Sequence, residues 1–92
     1  MIRRIRHRGL RRLYEDDDRR GLDAQHIGKI ARVLARLDGA TEPRHMNLPG
    51  LRLHPLRGAL AGYWSVTVNA NWRIVFRFEN GDVTDVDYLD YH

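Results

Sequence analysis

The chain has 92 residues, enough for one hydrophobic core and too few for two. Hydrophobic residues make up 42% and charged residues 30%, a composition that excludes a disordered chain, and no run approaches the length of a membrane span. With no cysteine and a net charge of +4, disulfides and thiolate zinc sites are excluded, and a basic surface suited to nucleic acid or an acidic partner is expected.

Lys29 is the only lysine among 16 basic residues. Arginine binds phosphate bidentately and stacks on bases, so this choice leans toward nucleic acid, although codon bias alone gives the same enrichment. The basic opening from Met1 to Arg8 is followed by no apolar signal segment, and the lack of cysteine fits a reducing cytosol. A single domain over residues 1–92, in the cytoplasm and free of the membrane, is the expectation.

Residues 1–7 offer a short strand anchored by Ile2 and Ile5, though their alternation is imperfect. Arg8 to Arg20 reads as a helix with Leu10, Leu13 and Tyr14 on one face and Gly21 as its stop. Asp23 is placed to cap a second helix, in which Ile27, Ile30, Ala31, Leu34 and Leu37 recur at helical spacing up to Asp38-Gly39. The short connection predicts an antiparallel helical pair, and the charge run Asp16 to Arg20 reads as solvated surface.

Thr41 to Gly50, with its prolines, marks the passage from helices to strands. Leu51 and Leu53 flank Arg52 in a short strand closed by His54-Pro55, and a loop through Arg57, Gly58 and Gly62 follows. Tyr63 to Val68, Trp72 to Phe78 and Val83 to Leu89 then alternate as a meander. The fold class is therefore α+β: two N-terminal helices packed on one face of a small, twisted, mainly antiparallel sheet.

A loop at Asn69-Ala70-Asn71 pairs Val68 with Trp72 and Val66 with Ile74, placing both apolar sets on one side. At the next hairpin a two-residue Asn80-Gly81 turn would set Asp85 and Asp87 against Phe76 and Ile74, burying carboxylates. A loop that includes Asp82 sets Val86 and Tyr88 there instead, so the longer loop is expected despite the usual preference of Asn-Gly. The other face then presents Tyr63, Ser65, Thr67, Arg73, Arg77, Asp85 and Asp87, with Tyr91 if the alternation continues.

His54 precedes a proline that holds its backbone extended, and an imidazole can exchange a proton near neutrality, yet a lone histidine beside leucines is more often structural. Asp90-Tyr91-His92 is a compact polar triplet that, on its own, reads more readily as an ordinary polar tail. Arg73, in mid-strand, calls for an anion, either a phosphate or a carboxylate such as Asp87 or Asp90. Arg77 lies across from Asp85, and Arg57 sits in a glycine-bounded loop. Five histidines without H-x-x-x-H spacing make a zinc site improbable, and neither a phosphate-binding glycine loop nor a serine-nucleophile context occurs.

In order and spacing, His7-Arg8-Gly9-Leu10, Leu53-His54-Pro55-Leu56-Arg57-Gly58, Gly62-Tyr63-Trp64-Ser65-Val66, Asn71-Trp72-Arg73-Ile74-Val75-Phe76, Asn80-Gly81-Asp82 and Asp90-Tyr91-His92 resemble the HigB toxin family of the RelE superfamily. The resemblance implies a RelE-like fold and a ribosome-dependent mRNA endonuclease of a type II toxin-antitoxin system, needing no cofactor or metal. It also implies a HigA-type helix-turn-helix antitoxin and the ribosome with its A-site mRNA as partners, the free toxin being a monomer. Catalysis is carried onto His54, Arg73, Asp90, Tyr91 and His92, and phosphate binding onto Arg57, Arg73 and Arg77. Arg57 departs from the lysine common in relatives, and arginine keeps the charge without a proton to release. A catalytically inactive binding module shares fold and charge; direct DNA binding is disfavoured because the helices carry mixed charge and no helix-turn-helix pattern.

Overall fold

The computed structural model describes residues 1–90. Helix α1 spans Arg8–Asp16 and α2 Ile27–Gly39; the strands are β1 (His54–Pro55), β2 (Trp64–Asn69), β3 (Trp72–Glu79) and β4 (Asp82–Asp90). They form one antiparallel sheet in the order β1-β2-β3-β4. Leu10 and Leu13 of α1 and Ile30, Val33, Leu34 and Leu37 of α2 share a buried cluster with Val66, Ile74, Phe76, Val83, Val86 and Tyr88. This is the expected α+β arrangement, with both helices on one face.

Local chemistry moves the helix ends. Asp17 takes a left-handed φ of 53°, which aspartate tolerates, and the N–H groups of Asp17 and Asp18 return to the carbonyls of Leu13 and Arg12. The helix therefore stops short of Arg20. Gly21 serves a different purpose, because its backbone packs on Gly9 and a Cβ on Gly21 would lie 3.0 Å from the Gly9 Cα. Asp23 does not cap α2; it accepts from the Gln25 N–H at 2.9 Å in a turn before the helix begins. Val33 rather than the exposed Ala31 completes the apolar stripe of α2.

Val66 pairs with Ile74 as the alternation requires, but Trp72 pairs with Asn69 across a two-residue turn, and the extra residue enters as a bulge that leaves Val68 buried. The larger correction concerns the β3–β4 hairpin. Asn80 and Gly81, at φ of 53° and 80°, form a tight two-residue turn, and Glu79 pairs with Asp82. The additional residue is accommodated at Asp85, whose φ is 52°, between the pairs Arg77–Thr84 and Val75–Asp87. Tyr88 still meets Ile74 and Val86 is fully buried, so the expected core is reached by a bulge instead of a longer loop.

The same bulge explains the opening residues. Ile2 and Ile5 bridge in parallel to Val83 and Val86, with the same interval on both sides, and the Arg3 and Arg6 N–H groups donate to the Val83 and Val86 carbonyls. Spacing that looks irregular in residues 1–7 is thus matched to a bulged neighbour. Asp38, at the end of α2, fastens this segment by accepting from the Ile2 N–H at 3.2 Å and the Tyr14 hydroxyl at 2.6 Å. Leu51 to Leu53 does not form a strand, because Arg52 adopts a left-handed φ of 53°.

The sheet face away from the helices is less open than expected. Tyr63, Thr67, Arg73, Arg77, Asp85 and Asp87 are half-buried there, but Ser65 and Val75 are each only 1% exposed.

Asp85 supplies a test of the bulge. A β-branched side chain is strained at positive φ, so Asp85→Val is expected to cost about 2 kcal/mol or more in urea unfolding. Asp85→Gly loses the same carboxylate but fits the backbone, and is expected to cost clearly less. Equal losses would contradict the bulge as described.

Candidate active site

His54 lies in β1 opposite Ser65, so its side chain belongs to the face away from the helices. Its ring is exposed, and Nδ1 lies 3.2 Å from the Arg52 carbonyl oxygen. A carbonyl only accepts, so Nδ1 carries the proton and Nε2 is left as the basic nitrogen. The left-handed backbone of Arg52 aims that carbonyl, a strain of about 1–3 kcal/mol placed beside a candidate catalytic group.

Arg73 pairs with Thr67, two residues along β2 from Ser65, on the same face. Strand spacing puts the His54 and Arg73 Cα atoms roughly 12 Å apart, a span that two long side chains can close toward one phosphate. Arg73 Nη1 donates to the Thr67 hydroxyl, while its Nε is buried with no protein acceptor; Ser65 Oγ is likewise buried and unpartnered. Buried donors are almost always paired, so a guanidinium with spare donors in mid-strand is the feature of this face that most needs explaining. Among the described residues, no ion pair joins Arg73 to Asp87, one of the carboxylates that the sequence offered it.

Arg57 is exposed on the loop that leaves β1, immediately before the 3-10 turn Gly58–Leu60. Arg77 is committed: it donates to Asp85 Oδ2 from Nη2 at 2.7 Å and from Nε at 2.9 Å, and its guanidinium lies 5.9 Å from the Tyr63 ring centre. Asp90 pairs with Trp72, so its side chain falls on the helix-side face, across the sheet from His54 and Arg73. Tyr91 and His92 lie outside the described residues. The structure therefore brings His54, Arg73 and Arg77 to one face and sets Asp90 on the other. Among the described residues, no group of three or more His, Asp or Glu side chains converges as metal ligands.

Beside Asp90 lies a cleft of about 140 Å³ lined by His7, Gly21, Leu22, Asp23, His26, Trp72 and Tyr88. Tyr88 stacks on Trp72 with ring centres 4.8 Å apart, and its hydroxyl is 2.6 Å from His26 Nδ1. Burial, with the Asp23 and Asp90 carboxylates nearby, pushes the Tyr88 hydroxyl up to about 12, so it stays protonated. His7 accepts the Leu10 N–H on Nδ1 at 3.2 Å and so caps α1. Neither His7 nor His26 was expected to matter. The cap could have been read from a polar residue one position before an apolar helix, whereas His26 meets partners 43 and 62 residues away.

Two helices on one face of a four-stranded antiparallel sheet, with basic and imidazole groups on the other, make a RelE-like α+β fold. The fold matches a solved structure described as a YoeB/ParE toxin from Agrobacterium tumefaciens with a TM-score of 0.50 and 24% identity, over 79% of this chain and 81% of that one. Residues 3–92 match the family model for a RelE-like toxin of type II toxin-antitoxin system HigB. Similar proteins include Endoribonuclease HigB of Proteus vulgaris, 46% identical over the full length of both chains, and Toxin HigB-1 of Vibrio cholerae serotype O1, 33% identical over all of this chain and 98% of that one. The chain belongs to the HigB-like toxin family, and membership implies an antitoxin partner. No helix among the described residues is long and apolar enough to cross a membrane.

The His7 cap makes a pH prediction. Burial lowers the His7 pKa from its ordinary value of 6.5, against a smaller upward pull from the Asp87 carboxylate. The unfolded chain then takes up the proton first, so stability is complete above about pH 6.5 and falls as the pH drops through that value toward the lowered folded one. Melting temperatures from pH 7 to 5 should fall less in His7→Asn, which keeps a cap without the titration. Identical slopes would remove His7 as the cause.

Proposed function

We propose that this chain is an endoribonuclease that cuts mRNA in the ribosomal A site by metal-independent acid and base chemistry. The observation that carries this reading is the presence on one face of an exposed imidazole whose Nδ1 faces a carbonyl and an arginine whose Nε lacks a protein acceptor. The name of the Proteus vulgaris relative supports the reaction class.

In this reading His54 Nε2 removes the proton of the ribose 2′-hydroxyl, and the 2′ oxygen attacks the adjacent phosphorus. Arg73 and Arg57 balance the negative charge that grows on the phosphorane, which is the largest single contribution that fixed donors can make. The bond from phosphorus to the 5′ oxygen breaks, and His92 protonates that leaving oxygen. The products are a 2′,3′-cyclic phosphate and a 5′-hydroxyl. The nucleophile is internal to the RNA, so proton transfer and charge neutralisation are sufficient. Tyr91 stacks on a base. Asp90 does not orient His54, because the sheet stands between them. Arg77, neutralised by Asp85, contributes to the RNA-facing surface chiefly by holding Tyr63 and the bulge in place.

The ribosome places the work in the cytoplasm, and the free chain acts as a monomer that a HigA-type antitoxin captures in a heteromeric complex. His54→Ala and Arg73→Ala, assayed on translating ribosomes, are each expected to lower the cleavage rate by on the order of 10²-fold or more while the variants still bind antitoxin. Full activity in both would overturn the assignment.

A further inference from the structure

Thr67 stands opposite Arg73 in the β2–β3 ladder, on the face away from the helices. Strand pairing brings the two side chains together, and the Thr67 hydroxyl accepts a hydrogen bond from Arg73 Nη1. A guanidinium offers five N–H groups. One on Nη1 is engaged by Thr67 and the one on Nε is buried, so those left for a phosphate are on Nη1 and Nη2.

The chemistry of the acceptor sets Arg73 apart. Arg77, further along β3 on the same face, is held by the Asp85 carboxylate at 2.7 and 2.9 Å, which fixes its guanidinium and also cancels the charge. Thr67 holds Arg73 with a neutral oxygen, so the positive charge survives. A long side chain is thereby kept in one rotamer while it can still attract an anion.

Thr67 also reaches the other arm of the site. Its backbone N–H donates to the Leu51 carbonyl at 2.7 Å, while Ser65 pairs with His54. From Leu51 to His54 the chain advances three residues against two from Ser65 to Thr67, and Arg52 takes up the surplus in its left-handed conformation. The carbonyl of that same Arg52 faces His54 Nδ1. One residue of β2 therefore anchors the bend beside His54 through its backbone and the Arg73 guanidinium through its hydroxyl.

We infer that Thr67 is a positioning residue, whose hydroxyl sets the Arg73 guanidinium for the scissile phosphate without neutralising it. The inference rests on the reading above, in which Arg73 meets that phosphate. Thr67 acts through Arg73 and not on the RNA. A hydroxyl that served stability alone would raise the melting temperature and leave the turnover of folded protein unaffected.

The test uses the full chain freed from antitoxin, with melting temperature, KM for programmed ribosomes and kcat measured for each variant. Thr67→Val removes the hydroxyl but keeps the branched shape and the backbone N–H; it is expected to lower kcat on the order of tenfold with KM unchanged. Thr67→Ala also lacks the acceptor, should lose as much, and takes the place of Thr67→Val if that variant does not fold. Thr67→Ser keeps the hydroxyl and should restore most of the rate. Thr67→Asp still binds the guanidinium but cancels its charge, so it should be slowed at least as much as Thr67→Val. Combined with Arg73→Ala, Thr67→Val should cause no further loss, because both changes act through one guanidinium. A wild-type or raised kcat in folded Thr67→Val or Thr67→Asp, no recovery in Thr67→Ser, or losses that multiply with Arg73→Ala would overturn the role. If Arg73→Ala is slowed and folded Thr67→Val is not, the positioning role alone falls; if Arg73→Ala is fully active, the reading beneath it falls as well.

Discussion

The arrangement depends on one extra residue in the last strand. Asp85 occupies a left-handed conformation between two regular stretches of β4, and by doing so keeps Val83, Val86 and Tyr88 on the core face. Without it, everything beyond Thr84 would turn over, presenting Asp87 to the core and Val86 and Tyr88 to the other face. The strain is offset by a carboxylate that is only 14% exposed and gathers Arg77 at 2.7 Å and Arg4 at 3.7 Å. Residues 1–7 then dock along β4 because Ile2 and Ile5 repeat the interval of Val83 and Val86.

The same register governs the chemistry. Strand pairing assigns His54 and Arg73 to the face away from the helices and Asp90 to the face that carries Trp72, Tyr88 and His26. Residues that the family pattern groups into one site are therefore divided by the sheet. A carboxylate on the helix side cannot orient an imidazole on the other. The tautomer and aim of the His54 ring are set locally instead, by the carbonyl that the unusual backbone of Arg52 presents to Nδ1.

Much of this was legible from alternation. Val66 beside Ile74 and Tyr88 beside Ile74 follow from keeping apolar residues together, and both pairs are present. The place of the extra residue was not legible, since a longer loop and a mid-strand bulge give the same pairing downstream. Asn80-Gly81 favoured the tight turn, and that local preference held while the bulge took up the difference. The end of α1 was missed because aspartate at position 17 does the work assigned to Gly21. Ser65 was placed on the right face but is covered, which alternation alone cannot reveal. His26 was invisible for a different reason: its hydrogen-bond partners are supplied by tertiary contact with Asn69 and Tyr88, and no local pattern encodes them.

The central claim is that the face bearing His54 and Arg73 cuts RNA by activating the 2′-hydroxyl. Determining the chemical ends of mRNA fragments released from ribosomes tests it most directly. A 2′,3′-cyclic phosphate on the upstream fragment and a 5′-hydroxyl on the downstream one are the result expected. A 3′-hydroxyl upstream with a 5′-phosphate downstream would show that external water was the nucleophile, and would contradict the account.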